Sequence, residues 1–136
     1  GRTGPIEEAK VQLEEAGASK VVFLEVSGAF HSSLMKDASV KLAREIEKIE
    51  FKMPKVEVIS NVSARPERNT DEIKQNLTKQ MYSPVLWEEG VRFMSKAGVK
   101  RFYELGPGRV LKGILRKIDA SLEVINIGKY AEMEGE

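Results

Sequence analysis

Apolar and polar positions alternate along this chain in two rhythms, one suited to helices and one to strands. Near the start, Ile6, Ala9, Val11, Leu13 and Ala16 form an apolar stripe that stops at Gly17. Thr3 or Gly4 as a cap, Pro5 at the first helical position, and Glu7 and Glu8 in the first turn predict a helix there. "KVVFLEV", Lys20 to Val26, is rich in β-branched and large apolar residues and reads as a strand. Ser27, Gly28 and Ala29 then turn the chain towards His31. From about Leu34 a second helix is expected, because Ala38, Leu42, Ile46 and Ile49 recur at intervals of four and three. Glu45 and Lys48 are spaced for a surface pair on it.

"FKMPKVEVISNV", Phe51 to Val62, contains a second expected strand with Pro54 at its approach, and the polar run from Ser63 to Asn69 reads as a loop. Thr70 is placed to cap a third helix carrying Ile73, Leu77 and Met81 on one side, which Ser83-Pro84-Val85 breaks. A fourth helix is expected from Leu86 to Ala97, ended by Gly98. "KRFYELGPGR" reads as a strand entering a Gly-Pro-Gly turn, Val110 to Ile118 as a fifth helix, and "LEVINI" as a last strand. The charged tail beyond it reads as disordered.

Helices alternating with strands imply an α/β fold with a largely parallel sheet. No internal repeat is legible. About four strands and a start on a helix suit the later part of a larger fold, since a parallel sheet needs both faces covered and both edges managed.

The length, 136 residues, suits one domain. Twenty-two Lys and Arg against 21 Asp and Glu leave a net charge of +1, which gives no reason to expect nucleic acid. With no cysteine there is no disulfide framework and no thiolate chemistry, and a single histidine argues against a zinc hydrolase. No apolar run is long enough for a membrane span and no signal peptide is legible, so a soluble cytoplasmic protein is expected. Lacking a starting methionine, the sequence reads as a processed chain or a fragment.

The one histidine, His31, has two readings. It holds a turn at a strand-to-helix junction, or it is a general base at the carboxyl end of a parallel strand, where α/β proteins place ligands. Neutral imidazole takes a proton from a hydroxyl near pH 7, and the small residues before it leave room for a substrate. Yet no serine lies in a G-x-S-x-G elbow, and Ser32 and Ser33 adjoin the histidine too closely for proton transfer. "ELGPGRVLKGI" joins a strand to a helix as a phosphate loop does, but it matches no phosphate-binding pattern and Pro107 lacks an amide donor, so a tight turn is the better reading. Lys112, Arg116 and Lys117 make a small basic patch, which is a solvated face, a neutraliser of the helix carboxyl end or a docking point for an acidic partner.

Taken together, "VSGAFHSSLM", "VISNV", "LTKQMYSPVLW" and "FYELGPGRVLKGILRKI" resemble the malonyl-CoA:acyl-carrier-protein transacylase family, in its order and at its intervals, over about residues 1 to 128. The resemblance implies an α/β-hydrolase-like subdomain with an inserted ferredoxin-like one. Residues 1–27 would end the small subdomain, 28–128 would be the later part of the large one, and 129–136 a tail. It implies malonyl transfer from CoA to the carrier's phosphopantetheine thiol through a seryl intermediate, in fatty-acid synthesis, with no cofactor beyond the substrates. His31 matches the histidine that activates the serine, and Gln80 the position whose backbone carbonyl orients it. Phe30 and Asn61 match positions in the active-site vicinity, and Phe30 matches the malonyl-selecting variant. Arg116 and Lys117 match basic residues offered to the carrier protein. The serine elbow and the malonyl-gripping arginine of the family have no counterpart here. The chain therefore reads as a C-terminal half, inactive alone, whose partners are acyl carrier protein, malonyl-CoA, and the missing N-terminal half or a second copy. A carrier-binding module without catalysis and the acyltransferase domain of a polyketide synthase are the alternatives.

Overall fold

A computed structural model describes residues 1–23 and 26–135. The chain divides into two compact units, Gly1–Glu57 with Glu67–Val85, and Val58–Pro66 with Leu86–Glu136.

The first unit is helical. Helix α1 spans Thr3–Glu15 and begins two residues before Pro5. The proline sits in the first turn, where its missing N–H would have had no intrahelical partner. The helix ends as its glycine predicts. Gly17 has φ +96°, its N–H donates to the Glu14 oxygen, and the Ala18 N–H reaches back to Leu13 at 2.9 Å. This pair of bonds closes a helix on a left-handed residue that glycine adopts without a Cβ clash. None of the α1 residues is buried, so its apolar stripe is not packed.

A 3₁₀ turn, Ser33–Met35, leads into α2, Lys36–Glu47, which packs against α3, Thr70–Gln80. Ile46 and Ser39 are buried on α2 and Asn76 on α3. The Asn76 amide donates to the Glu67 carboxylate at 2.9 Å, which gives that buried nitrogen a partner. Lys74 meets Glu47 at 3.4 Å. The expected Glu45–Lys48 pair forms at 2.7 Å, but both side chains are about two-thirds exposed, so it contributes only ~0–1 kcal/mol.

The cap of α3 is Asn69 rather than Thr70. Its side chain accepts the Glu72 N–H at 2.8 Å, while the Glu72 carboxylate accepts the Arg68 N–H at 2.9 Å. Asparagine is the stronger cap, and the reciprocal carboxylate adds a second bond to the helix start.

Two expected strands are corrected. Lys20 to Phe23 and Val26 are irregular, and Leu24 and Glu25 lie outside the described residues. Phe51 to Val62 forms no strand either, only an isolated antiparallel bridge between Ile59 and Pro66. Composition favoured strands at both places. A strand persists only where another pairs with it, and here Val22, Phe23, Val26, Val56 and Val58 stand exposed.

The second unit holds the sheet. Helix α4, Trp87–Lys96, ends at Gly98 in the same way as α1, with φ +98° and the Val99 N–H reaching Met94 at 3.0 Å. Strand β1, Arg101–Leu105, crosses over through α5, Val110–Ile118, to the parallel β2, Glu123–Ile127, with Phe102 opposite Val124 and Tyr103 opposite Ile125. These are the two strands among the described residues, where about four were expected.

Val91, Leu115, Leu122 and Val124 form the core, with Trp87, Met94, Phe102 and Ile118 packed around them. Burying each such aliphatic side chain contributes roughly 1.5–3 kcal/mol. The opposite face of β1 is open, with Tyr103 46% and Leu105 69% exposed. The tail, expected to be disordered, makes 3₁₀ turns over Tyr130–Gly135, and the Glu132 carboxylate accepts the Gly128 N–H at 2.8 Å.

Candidate functional site

His31 is one of two non-glycine residues among those described with positive φ, at +61°. Histidine tolerates the left-handed region better than most residues, but the conformation needs support from its surroundings. The support comes from the carboxyl end of α3. The His31 backbone N–H donates to the Met81 oxygen at 2.8 Å, and ring Nδ1 lies 2.9 Å from the Gln80 backbone oxygen. Both acceptors are carbonyls that a helix leaves without intrahelical partners at its end.

This contact decides the tautomer. A carbonyl oxygen only accepts, so the 2.9 Å contact is a hydrogen bond when Nδ1 carries the proton. The Gln80 side-chain amide also lies 3.3 Å from Nδ1, and its oxygen turned inward would make a second acceptor for the same proton. Nε2 is then unprotonated. It has no partner among the described residues, and His31 is exposed. The Nε2 lone pair is thus left free to accept a proton.

Phe30 is 48% exposed beside the histidine, and its ring packs over Gly28, where a Cβ would come within 3.4 Å of Cε2. Ser32 donates its hydroxyl to the Ala29 oxygen at 2.7 Å, so it is engaged in the turn rather than aimed at the imidazole. Ser27, Gly28 and Ala29, just before His31, line an open cleft of about 400 Å³ together with Ile6, Phe23 and Val26.

In the second unit, Asn61 is exposed, and its backbone oxygen accepts the Leu86 N–H at 2.8 Å, next to the start of α4. The loop around it is tight. Ala64 has φ +54° and is buried, and its N–H donates to the Ser60 oxygen at 2.8 Å.

The Gly-Pro-Gly turn is a structural turn. Gly106 and Gly108 have φ +123° and +93°, values that favour glycine. The Glu104 carboxylate accepts the Leu111 N–H at 2.9 Å and the Lys112 N–H at 3.0 Å, so the amino end of α5 already holds an anion. The Asn126 amide donates to the Gly108 oxygen at 2.7 Å and clamps the turn from β2. A phosphate would have to displace Glu104.

Arg116 and Lys117 stand exposed in the last turn of α5, and neither forms an ion pair among the described residues. No group of three or more metal-ligating side chains occurs among the described residues. Neither is any helix among them long and apolar enough to cross a membrane. Sequence reasoning missed the Met81 carbonyl, Glu104 and Asn126. Glu104, an acid at the end of a strand just before a helix, was the one with a legible signal.

Comparison with known proteins then places the chain. It is 42% identical to the malonyl-CoA:acyl-carrier-protein transacylase of Escherichia coli K12 over 133 residues, 98% of this chain. It is homologous to the malonyl-CoA:acyl-carrier-protein transacylases. The solved transacylase of Xanthomonas oryzae superposes on 99% of the chain and 43% of its own length, with a TM-score of 0.93 at 34% identity. A malonyl-transacylase solved in complex with a type II polyketide-synthase acyl-carrier protein superposes on 98% of the chain and 43% of its own, with a TM-score of 0.93 at 36% identity. No family model matches. The chain spans 43% of the Escherichia coli transacylase, and the homology runs through both of its compact units. The mixed helix-and-strand architecture expected from the sequence is that of these transacylases.

Proposed function

We propose that this chain is the histidine-bearing C-terminal part of a malonyl-CoA:acyl-carrier-protein transacylase, with His31 as the general base. The observation that carries the reading is the 2.9 Å contact between His31 Nδ1 and the Gln80 backbone oxygen. It does the work of the third group in a catalytic triad without a carboxylate: it selects the tautomer and orients the ring.

Nε2 takes the proton of a serine hydroxyl supplied outside this chain as the oxygen attacks the malonyl thioester. The imidazolium returns that proton to the departing CoA thiolate, leaving malonyl on the serine. The phosphopantetheine thiol of the carrier then attacks the ester, Nε2 takes the thiol proton, and the serine oxygen recovers it as it leaves. No serine of this chain has the elbow such a nucleophile needs, so the chain alone is catalytically incomplete.

In this reading residues 1–27 close a ferredoxin-like subdomain, 28–128 belong to an α/β-hydrolase-like one, and 129–136 are a tail. Phe30 keeps the role that the resemblance gives it in the active-site vicinity, and so, in its own unit, does Asn61. Arg116 and Lys117 dock the acidic carrier protein. The open face of β1 and β2 packs against the serine-bearing part or, in its absence, a second copy.

The test is intact-mass measurement after incubation with malonyl-CoA. The chain alone is expected to stay unmodified, and a malonyl adduct on it would sink the reading. A chimera in which residues 1–128 replace the matching part of the Escherichia coli relative is expected to form the adduct, and His31→Ala to slow it by roughly 10²–10⁴-fold.

A second reading, a carrier-docking module without catalysis, is favoured by the unpaired Arg116 and Lys117 alone. It requires carrier binding that persists in His31→Ala and disappears in the double change of Arg116 and Lys117 to Glu.

A further inference from the structure

Which carbonyls stay open at a helix end depends on the next few N–H groups along the chain. The Gln80 oxygen would ordinarily accept from the N–H four residues on, or three residues on where the last turn tightens. Four residues on is Pro84, which has no N–H. Three residues on is Ser83, whose N–H is committed to the Lys79 oxygen at 2.9 Å. The Met81 oxygen loses its three-on donor to the same proline. Pro84 also disfavours helical backbone in the residue before it, which stops α3 from running on. Pro84 thus deprives the Gln80 oxygen of its four-on donor and the Met81 oxygen of its three-on donor, and these are the two oxygens that hold His31.

We propose that Pro84 is a positioning residue: by withholding an N–H it reserves the Gln80 and Met81 carbonyls for the ring and the backbone of His31, and so sets the imidazole tautomer. Its importance for catalysis rests on His31 being the base. Its control of the tautomer rests on the geometry alone.

The sequence makes the test simple, because His31 is the only histidine. Nitrogen NMR of the isotope-labelled chain, at a pH where the ring is neutral, reads both ring nitrogens without ambiguity. The wild-type chain is expected to hold Nδ1–H as the dominant form. Pro84→Ala restores an N–H, and the ratio of Nδ1–H to Nε2–H is expected to fall several-fold while the new amide at position 84 exchanges slowly. Pro84→Gly is expected to move the ratio in the same direction by less, since glycine disfavours continuing the helix.

Dominant Nε2–H in the wild type overturns the proposal, as does a wild-type ratio in the folded variants. If Pro84→Ala loses its circular-dichroism signature of folding, Pro84→Gly decides. If both unfold, position 84 serves the fold and not the ring, and the proposal falls. The base reading is judged apart from this, by His31→Ala in the chimera: malonyl transfer that survives that change rejects His31 as the base and leaves the tautomer result standing.

Discussion

His31 and Gln80 are joined through main chain on one side: the imidazole Nδ1 meets the Gln80 backbone oxygen at 2.9 Å. A side-chain substitution at Gln80 leaves that oxygen in place. Gln80→Ala in the chimera is therefore expected to lower kcat/KM less than about tenfold, against roughly 10²–10⁴-fold for His31→Ala. Steady-state kinetics on both variants checks this. Equal losses would mean that the amide side chain, and not the carbonyl, orients the ring.

Glu104 caps α5 from the neighbouring strand with two bonds of 2.9 and 3.0 Å. Glu104→Ala is expected to cost about 0.5–2 kcal/mol in urea unfolding, the range of a lost N-terminal cap. Glu104→Gln keeps an acceptor but loses the charge, so it is expected to fall between the two. A Glu104→Ala variant as stable as the wild type would remove the carboxylate from any role in holding the turn.

Two apolar residues of α5 separate packing from composition. Leu115 is 3% exposed in the core, whereas Val110 is 69% exposed. Leu115→Ala is expected to destabilise by roughly 2–5 kcal/mol, and Val110→Ala to stay within about 0.5 kcal/mol. Denaturant midpoints of the two variants test the contrast, and similar losses would place Val110 in a packed environment.

The Asp119 carboxyl is held below the usual carboxylate range, chiefly by the Ser121 hydroxyl, next by the Ser121 N–H, with Lys100 and Arg92 adding charge. A carboxylate with a depressed folded-state pKa contributes stability that is present above its unfolded pKa and lost as pH falls through the folded one. Asp119→Asn is expected to flatten the acid side of the stability curve below the ordinary carboxylate pKa, and to change its shape little near neutrality. A curve that stays parallel to the wild type across the acid range would count against the linkage.

The helices were legible because their signals are local. The stripe of α5 predicts Val110 to Ile118, and Gly17 and Gly98 mark their helix ends, each through its own backbone freedom. The strands were legible only where a partner exists. "RFYEL" and "EVINI" pair with each other, while "KVVFLEV" and "FKMPKVEVISNV" are also rich in apolar residues but, among the described residues, find no partner strand beyond the single Ile59–Pro66 bridge. Asn69 outranked Thr70 as a cap because a neighbouring residue decided the register. At the site, the histidine was legible as the single residue of its kind. The Met81 acceptor was not, since a backbone oxygen leaves no mark in residue identity.

The open face of β1, with Tyr103 and Leu105 turned outward, ties the behaviour of this chain to its surroundings. A parallel pair of strands covered on one side is half of a layered arrangement, and whatever binds the folded form on the other side shifts its melting by mass action. Should the proposed covering part, or a second copy, bind there, the heat resistance of this chain would be no constant of its sequence: it would climb with the concentration of that partner and fall on dilution.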